Sequence, residues 1–302
     1  MAASRTFLIL LFLSSIIVCP ASATDERMLI FGRVHDDPVR SIKDRQEFVD
    51  YISKKLGPLG FAGGRILVVE KMKLLSQALR DGKVDLFHDS VVPSLVLEKW
   101  SGSLPILRQW KYGEADYEGV IVVQKSSGVD TLADLRGKVI AFEEPHSTSA
   151  TVLPRMLFEE KKIKLHHMES AEIAKTDAVN FIYGADGSAL NVLMTGRVDA
   201  ATTILREIDR LKPEVRDGLK VIGKTISVPR QLISVRGNLD PKLVKALKKI
   251  LVTMDSDPEG QGVLKRQQNT NKIDEIPAAS IDQFKQINRY VFSSLRKEVD
   301  SW

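Results

Sequence analysis

The sequence predicts an α/β chain folded into two lobes with a ligand cleft between them, and three observations predict it. Short apolar strands alternate with amphipathic helices along the chain, the order that builds a mostly parallel sheet. One helix-glycine-strand unit, ALRDGKVDLFHDS at 78–90, returns without a gap as VLMTGRVDAATTI at 192–204. Two extended, β-rich segments, 117–123 and 221–235, read as hinge crossings, the second carrying Pro229 where a strand would bend. On this reading residues 24–118 and 229–302 form lobe 1, and 119–228 form lobe 2.

The chain opens with Arg5, an apolar run over 7–18 and the small triplet Ala21-Ser22-Ala23 before polar Thr24-Asp25-Glu26. This pattern is a secretory signal peptide, residues 1–23, cleaved after Ala23. The run falls short of the roughly 20 apolar residues a membrane span needs, so the expected mature protein is soluble and exported. Cys19 is the only cysteine, and the bulky Val18 before it disfavours lipoprotein processing. Losing the leader leaves no cysteine, which excludes disulfides, thiol catalysis and zinc-thiolate sites from the mature chain.

The formal charge of +5 for the full chain becomes +4 without Arg5. That balance suits an anionic small ligand, and the basic residues are scattered rather than clustered, which argues against nucleic acid. About 280 mature residues, in a chain that is 43% hydrophobic, suffice for two lobes with cores of their own.

Residues 28–32 read as the first strand. Phe48, Val49, Ile52 and Leu56 then recur at helical spacing until Gly57-Pro58 ends the helix. A strand at 66–69 follows, then a helix lined by Leu75, Ala78 and Leu79 and capped by Gly82. The next strand, 84–87, finishes at His88-Asp89-Ser90. Parallel sheets bind ligands beyond the carboxyl ends of their strands, so His88, Asp89 and Ser90 are candidate ligand contacts. The repeated unit places Thr202 and Thr203 where His88 and Asp89 stand, either through internal symmetry or through chance likeness of two helix-glycine-strand turns. Two strand ends would then face each other across the cleft.

The stretch over 138–160 carries the strongest functional pattern. A short buried strand, 138–142, leads through a turn at 143–146 to Ser147, Thr148 and Ser149, which open a helix containing Met156, Leu157 and Phe158. The first backbone N–H groups of a helix lack partners within it and sit at its positive end, so three adjacent hydroxyls there can complete a site for a tetrahedral oxyanion. The alternative use of a hydroxyl at this place is a plain helix cap. Pro154 lies beyond the first turn of a helix begun at Ser149, which predicts a bent or 3₁₀-like start. Farther on, Asp240-Pro241 opens an amphipathic helix, and Phe284, Ile287, Val291 and Leu295 mark another; both pack on lobe 1.

The chain resembles the phosphate/phosphite/phosphonate-binding family of periplasmic solute-binding proteins that serve ABC importers. The likeness is carried by Gly82-Lys83-Val84-Asp85 with Asp89-Ser90, by Ser126-Ser127-Gly128 with LADLRGK at 132–138, and by Glu143-Glu144-Pro145 with Ser147-Thr148-Ser149. Ser227-Val228-Pro229-Arg230 and Asp274-Glu275-Ile276-Pro277 continue it in the family's order. Family members usually follow Ser-Thr-Ser with Gly and an aromatic or apolar residue, and here Ala150-Thr151 follow. The resemblance implies a type II periplasmic-binding-protein fold, closure of the lobes by hinge motion, and a periplasmic monomer that hands a phosphorus oxyanion to an ABC permease. A sensory protein signalling from the same cleft to a membrane receptor is the alternative. Hydroxyls and amides donate to an ionised oxygen, whereas a carboxylate only accepts, so Asp89 in the cleft would disfavour sulfate and favour a ligand with a proton to give. Its other use is an ion pair within lobe 1.

Neither a metal, a cofactor nor catalysis is expected. His166-His167 point to opposite faces of a strand without an acid-histidine pair at helical spacing. Ser147 lacks the G-x-S-x-G elbow, and its neighbour His146 is not thereby placed as a base.

Overall fold

The computed structural model describes residues 27–168, 174–184 and 189–302; the leader and its cleavage site lie outside the described residues. Along the chain run β1 (Arg27–Val34), α1 (Pro38–Lys55), β2 (Phe61–Val69), α2 (Met72–Arg80), β3 (Leu86–Asp89), α3 (Val91–Ser101), β4 (Leu104–Gln109) and β5 (Asp116–Tyr117). Then come β6 (Val120–Gln124), β7 (Val139–Phe142), α4 (Leu153–Glu160), β8 (Leu165–His167), β9 (Val179–Tyr183), α5 (Ala189–Met194), β10 (Ala200–Thr203), α6 (Leu205–Asp209), α7 (Pro213–Arg216) and β11 (Leu219–Lys224). The chain ends with β12 (Val228–Pro229), β13 (Gln231–Val235), α8 (Pro241–Val252), α9 (Pro258–Arg266), β14 (Ile273–Asp274), α10 (Ser280–Ser294) and α11 (Arg296–Val299).

Two six-stranded sheets form, one to each lobe, in the orders β14-β4-β13-β3-β1-β2 and β11-β6-β10-β7-β9-β8. In each, the strands around the centre run parallel, while β13 in the first and β6 in the second run antiparallel to them. The two crossings between lobes are zipped together, since β5 and β12 pair antiparallel through Tyr117 with Val228 and Asp116 with Pro229. Helices cover both faces of each sheet, and strand alternation divides the residues between them: Leu86 packs with Phe31, Phe48 and Leu247, while Phe87 packs with Leu75, Val96 and Ile287. Fully burying each such phenylalanine contributes roughly 1.5–3 kcal/mol.

The repeated unit is a structural equivalence. Gly82 and Gly196 both end their helices at φ 71°, a left-handed conformation that a side chain resists. Asp85 accepts from Ile30 N at 2.9 Å, and Asp199 accepts from Val139 N at 2.8 Å, so each Val-Asp pair clamps the neighbouring strand in the same way. β3 and β10 then occupy the same four places of the repeat.

The strand over 66–69 proves longer, beginning at Phe61, and β3 is shifted to include His88 and Asp89. The bent helix start is a π-helical turn, Thr148–Val152, ahead of α4. Pro154 thus falls within the first turn of α4, which continues directly from the π turn.

Candidate functional site

The turn carrying Ser147, Thr148 and Ser149 is held from below and behind. Val152 N donates to Ser147 O at 2.9 Å, Thr151 Oγ1 to Glu143 O at 3.1 Å, and the Thr202 hydroxyl to Ala150 O and Ala141 O. Gly119, just after the first crossing, lies against the turn so closely that a Cβ there would overlap the carbonyl oxygen of Ser149. Wide π turns leave backbone groups outside the regular ladder and recur at functional sites.

Beside this turn a cleft of about 790 Å³ opens, within the roughly 300–1,000 Å³ range of small-molecule pockets. Asp89 and Ser90 line it from lobe 1, and Ser147, Ser149 and Thr203 line it from lobe 2. His88 and Thr202 do not, because adjacent strand residues point to opposite faces. Thr202 is spent under the turn. His88 is buried among Phe31 and Phe48, with ring centroids 5.3 and 6.4 Å away, and its Nδ1 lies 2.9 Å from Gln109 Oε1. Gln109 Nε2 donates to Thr270 Oγ1, so its oxygen must accept, and His88 donates from Nδ1. Burial, with Arg45 and Arg33 nearby, holds this imidazole neutral, well below the usual histidine range.

Thr148 is buried and reaches across the cleft. Its Oγ1 accepts from Val92 N at 2.9 Å and donates to Ser90 Oγ at 3.0 Å, so it joins the start of α3 instead of facing open space. Ser90 N in turn donates to Asp89 Oδ1 at 2.7 Å, leaving the other carboxylate oxygen without that bond.

Sequence reasoning missed Arg33, Lys111, Tyr112, Tyr117 and Arg230, which also line the cleft. Tyr117 lines it beside the hydroxyl turn, with the Ser149 and Thr148 side chains at its hydroxyl and the Arg230 guanidinium 4.2 Å from its ring centroid. Arg230 Nε also lies 3.2 Å from Glu114. Tyr112, at φ 59°, carries Arg206 of α6 over its ring at 3.8 Å, a cation–π contact between lobes. Burial, together with Arg230, Arg45 and Arg33, pushes the Lys111 ammonium down to about 8. The one sequence sign of these residues was Arg230 following Pro229 at the return crossing.

Among the described residues no group of three or more His, Cys, Asp or Glu is placed to hold a metal ion. His167 instead stacks on Phe181 at 4.9 Å. The site offers hydroxyls, the cations Arg33, Lys111 and Arg230, and carboxylates that include Asp89 around one space, an arrangement for holding an anion that also bears a hydrogen-bond donor.

A model of the family described as periplasmic phosphonate substrate-binding proteins of ABC transporters matches residues 33–282. The chain is similar to the phosphonates-binding periplasmic protein of Escherichia coli (strain K12), 26% identical over 266 residues that cover 85% of this chain and 75% of that protein. Its fold is similar to that of a Xanthomonas citri protein bound to ATP, with a TM-score of 0.80 at 22% identity, covering 91% of this chain and 98% of that one. PhnD1 from Prochlorococcus marinus in complex with methylphosphonate gives a TM-score of 0.65 at 14% identity, covering 88% and 99%.

Proposed function

Because the chain belongs to the family of periplasmic phosphonate substrate-binding proteins of ABC transporters and has their type II two-lobed fold, we propose that it captures a phosphorus oxyanion, a phosphonate first among them, and delivers it to an import permease. Phosphite and phosphate are the smaller members of the same ligand class. Export through a leader cleaved after Ala23 belongs to the same proposal. So do the lobe boundaries at 118/119, just after β5, and at 228/229, within its partner β12.

The observation that carries this reading is the contact of Thr148 with Val92 N and Ser90 Oγ. It brings the hydroxyl turn of lobe 2 against the amide-rich start of α3 in lobe 1, with Ser147, Ser149, Ser90 and the Tyr117 hydroxyl around one space. Closure there surrounds a tetrahedral anion with donors from both lobes. A ligand bound by the closed state stabilises the fold by mass action. A thermal-shift series with methylphosphonate, aminoethylphosphonate, phosphite, phosphate and sulfate therefore tests it: the melting point should rise with concentration for at least one phosphorus oxyanion. No rise with any of them defeats the proposal.

A further inference from the structure

The lobe 1 side of the cleft gathers more positive charge than one oxyanion turn requires. Arg33, at the end of β1, lines the wall with Lys111 and Arg230, and Arg45 of α1 lies behind them, only 4% exposed. Arg230, Arg45 and Arg33 all act on Lys111, and Arg45, Arg33 and Lys111 all act on His88, so the four cations form one group. Two carboxylates share that place: Asp89, and Glu114, which is taken up by Arg230 at 3.2 Å. Asp44, beside Arg45, is exposed on the outer side of α1 and screened by water. Among the described residues neither Arg33 nor Lys111 forms an ion pair. The remaining carboxylates of the cleft, Asp36, Glu70, Glu143, Glu144 and Glu207, are not among the charges acting most strongly on Lys111, Arg45 or His88.

Like charges held together away from water disfavour one another, and an anion supplied from outside relieves them. The cation group is also distinct from the hydroxyl turn. Tyr117 touches both, with its hydroxyl at Ser149 and its ring under Arg230, and Asp89, which accepts from Ser90 N, also acts on Lys111. As an acceptor-only group in the lining, Asp89 disfavours a negative charge beside it and favours a neutral or donor-bearing linker there.

Resting on the phosphonate reading above, we propose that the cleft holds a ligand with two anionic groups: a phosphonate at the turn of Ser147 and Ser149, and a carboxylate or second phosphoryl group at Arg33 and Lys111. The ligand class is then the organophosphonates and phosphate esters that carry another acid on their organic arm. The cleft's volume of about 790 Å³ leaves room for that arm beside Tyr117.

Titration calorimetry of the exported chain at pH 7 with methylphosphonate, phosphonoacetate, 3-phosphonopropionate and pyrophosphate tests this. At least one two-headed anion should bind about tenfold or more tighter than methylphosphonate, the equivalent of one added charge-assisted contact. That ratio should fall toward one in both Lys111→Met and Arg33→Met. Methylphosphonate binding as tightly as every two-headed ligand, or a ratio that persists in both variants, overturns the second subsite and leaves the phosphonate reading standing. Binding of none of the four removes the second subsite, and the thermal-shift series above then decides the phosphonate reading by itself.

Discussion

Thr148 Oγ1 lies 2.9 Å from the backbone nitrogen of Val92, and these two residues join the lobes beside the cleft. Thr148→Val keeps the shape and removes the acceptor, leaving the Val92 N–H buried without a partner in the closed form. Such a loss costs about 1–3 kcal/mol. Because Thr148 contacts α3 and not open cleft space, the expected outcome is an equal loss of affinity, tenfold or more, for every accepted oxyanion. Calorimetry with two chemically different ligands checks it; a loss confined to one would make Thr148 a direct ligand contact.

Asp89→Asn should act on selectivity. The amide oxygen can still accept from Ser90 N, as Oδ1 does now at 2.7 Å, but the other position becomes a donor. Ligands that offer a proton or an ammonium should weaken, while fully ionised anions such as sulfate hold or gain. The measurement is the affinity ratio of aminoethylphosphonate to sulfate at fixed pH. An unchanged ratio removes Asp89 from the account of selectivity.

Lys111 gives the cleft a pH dependence of definite sign. Burial, with Arg230, Arg45 and Arg33 adding repulsion and Asp89 opposing them, brings its ammonium from 10.5 down to about 8. The free protein therefore sheds this charge as pH rises through 8, and affinity for phosphonoacetate should fall between pH 7 and pH 9. In the unfolded chain the same lysine stays protonated up to 10.5, so ligand-free stability should rise across that window. Lys111→Met should flatten both profiles, and an identical fall in affinity in the variant would assign the titration elsewhere.

The fold was readable because period and punctuation carry it. The repeat at 78–90 and 192–204 encodes the same glycine cap, the same aspartate clamp and the same strand, and it carries Asp89 and Thr203, which both line the cleft. What it could not do was choose between neighbours: His88 and Asp89 are adjacent in sequence, but β3 includes both and turns one into the core. The cationic wall was illegible for another reason. Arg33 lies at the end of β1, Lys111 just after β4 and Arg230 just before β13, far apart in the chain, and only the sheet order β4-β13-β3-β1 brings them together. Tyr112 reaches its place through a positive φ that no glycine announces.

At the back of the hinge, Arg155 and Glu298 form a two-pronged ion pair at 2.8 and 2.9 Å, and Tyr183 Oη donates to the same carboxylate at 2.6 Å. The Arg155 side chain is nearly buried, so Glu298→Gln leaves a guanidinium without its counter-charge and should cost about 3 kcal/mol. Chemical denaturation at pH 7 checks this. Burial works against the Glu298 anion, but Arg155 and Tyr183 outweigh it and keep the carboxyl below its ordinary range. The pair's contribution should thus be present at neutral pH and disappear as the solution is acidified through that lowered value; a variant as stable as the parent at pH 7 would show the pair to be idle.

Gly119 admits no side chain because the serine turn rests on it. The turn and the chain at 119 are thus packed with no room for a side chain between them, and the proposed closure would carry Ser147 and Ser149 along with this contact as its bearing. Re-engineering the binding protein toward another anion, or into an optical sensor, should leave the backbone around 119 alone and place new chemistry at Arg33 and Lys111 rather than at Tyr112, whose ring packs under Arg206 of lobe 2, or at Arg230, whose guanidinium packs on Tyr117 of the crossing.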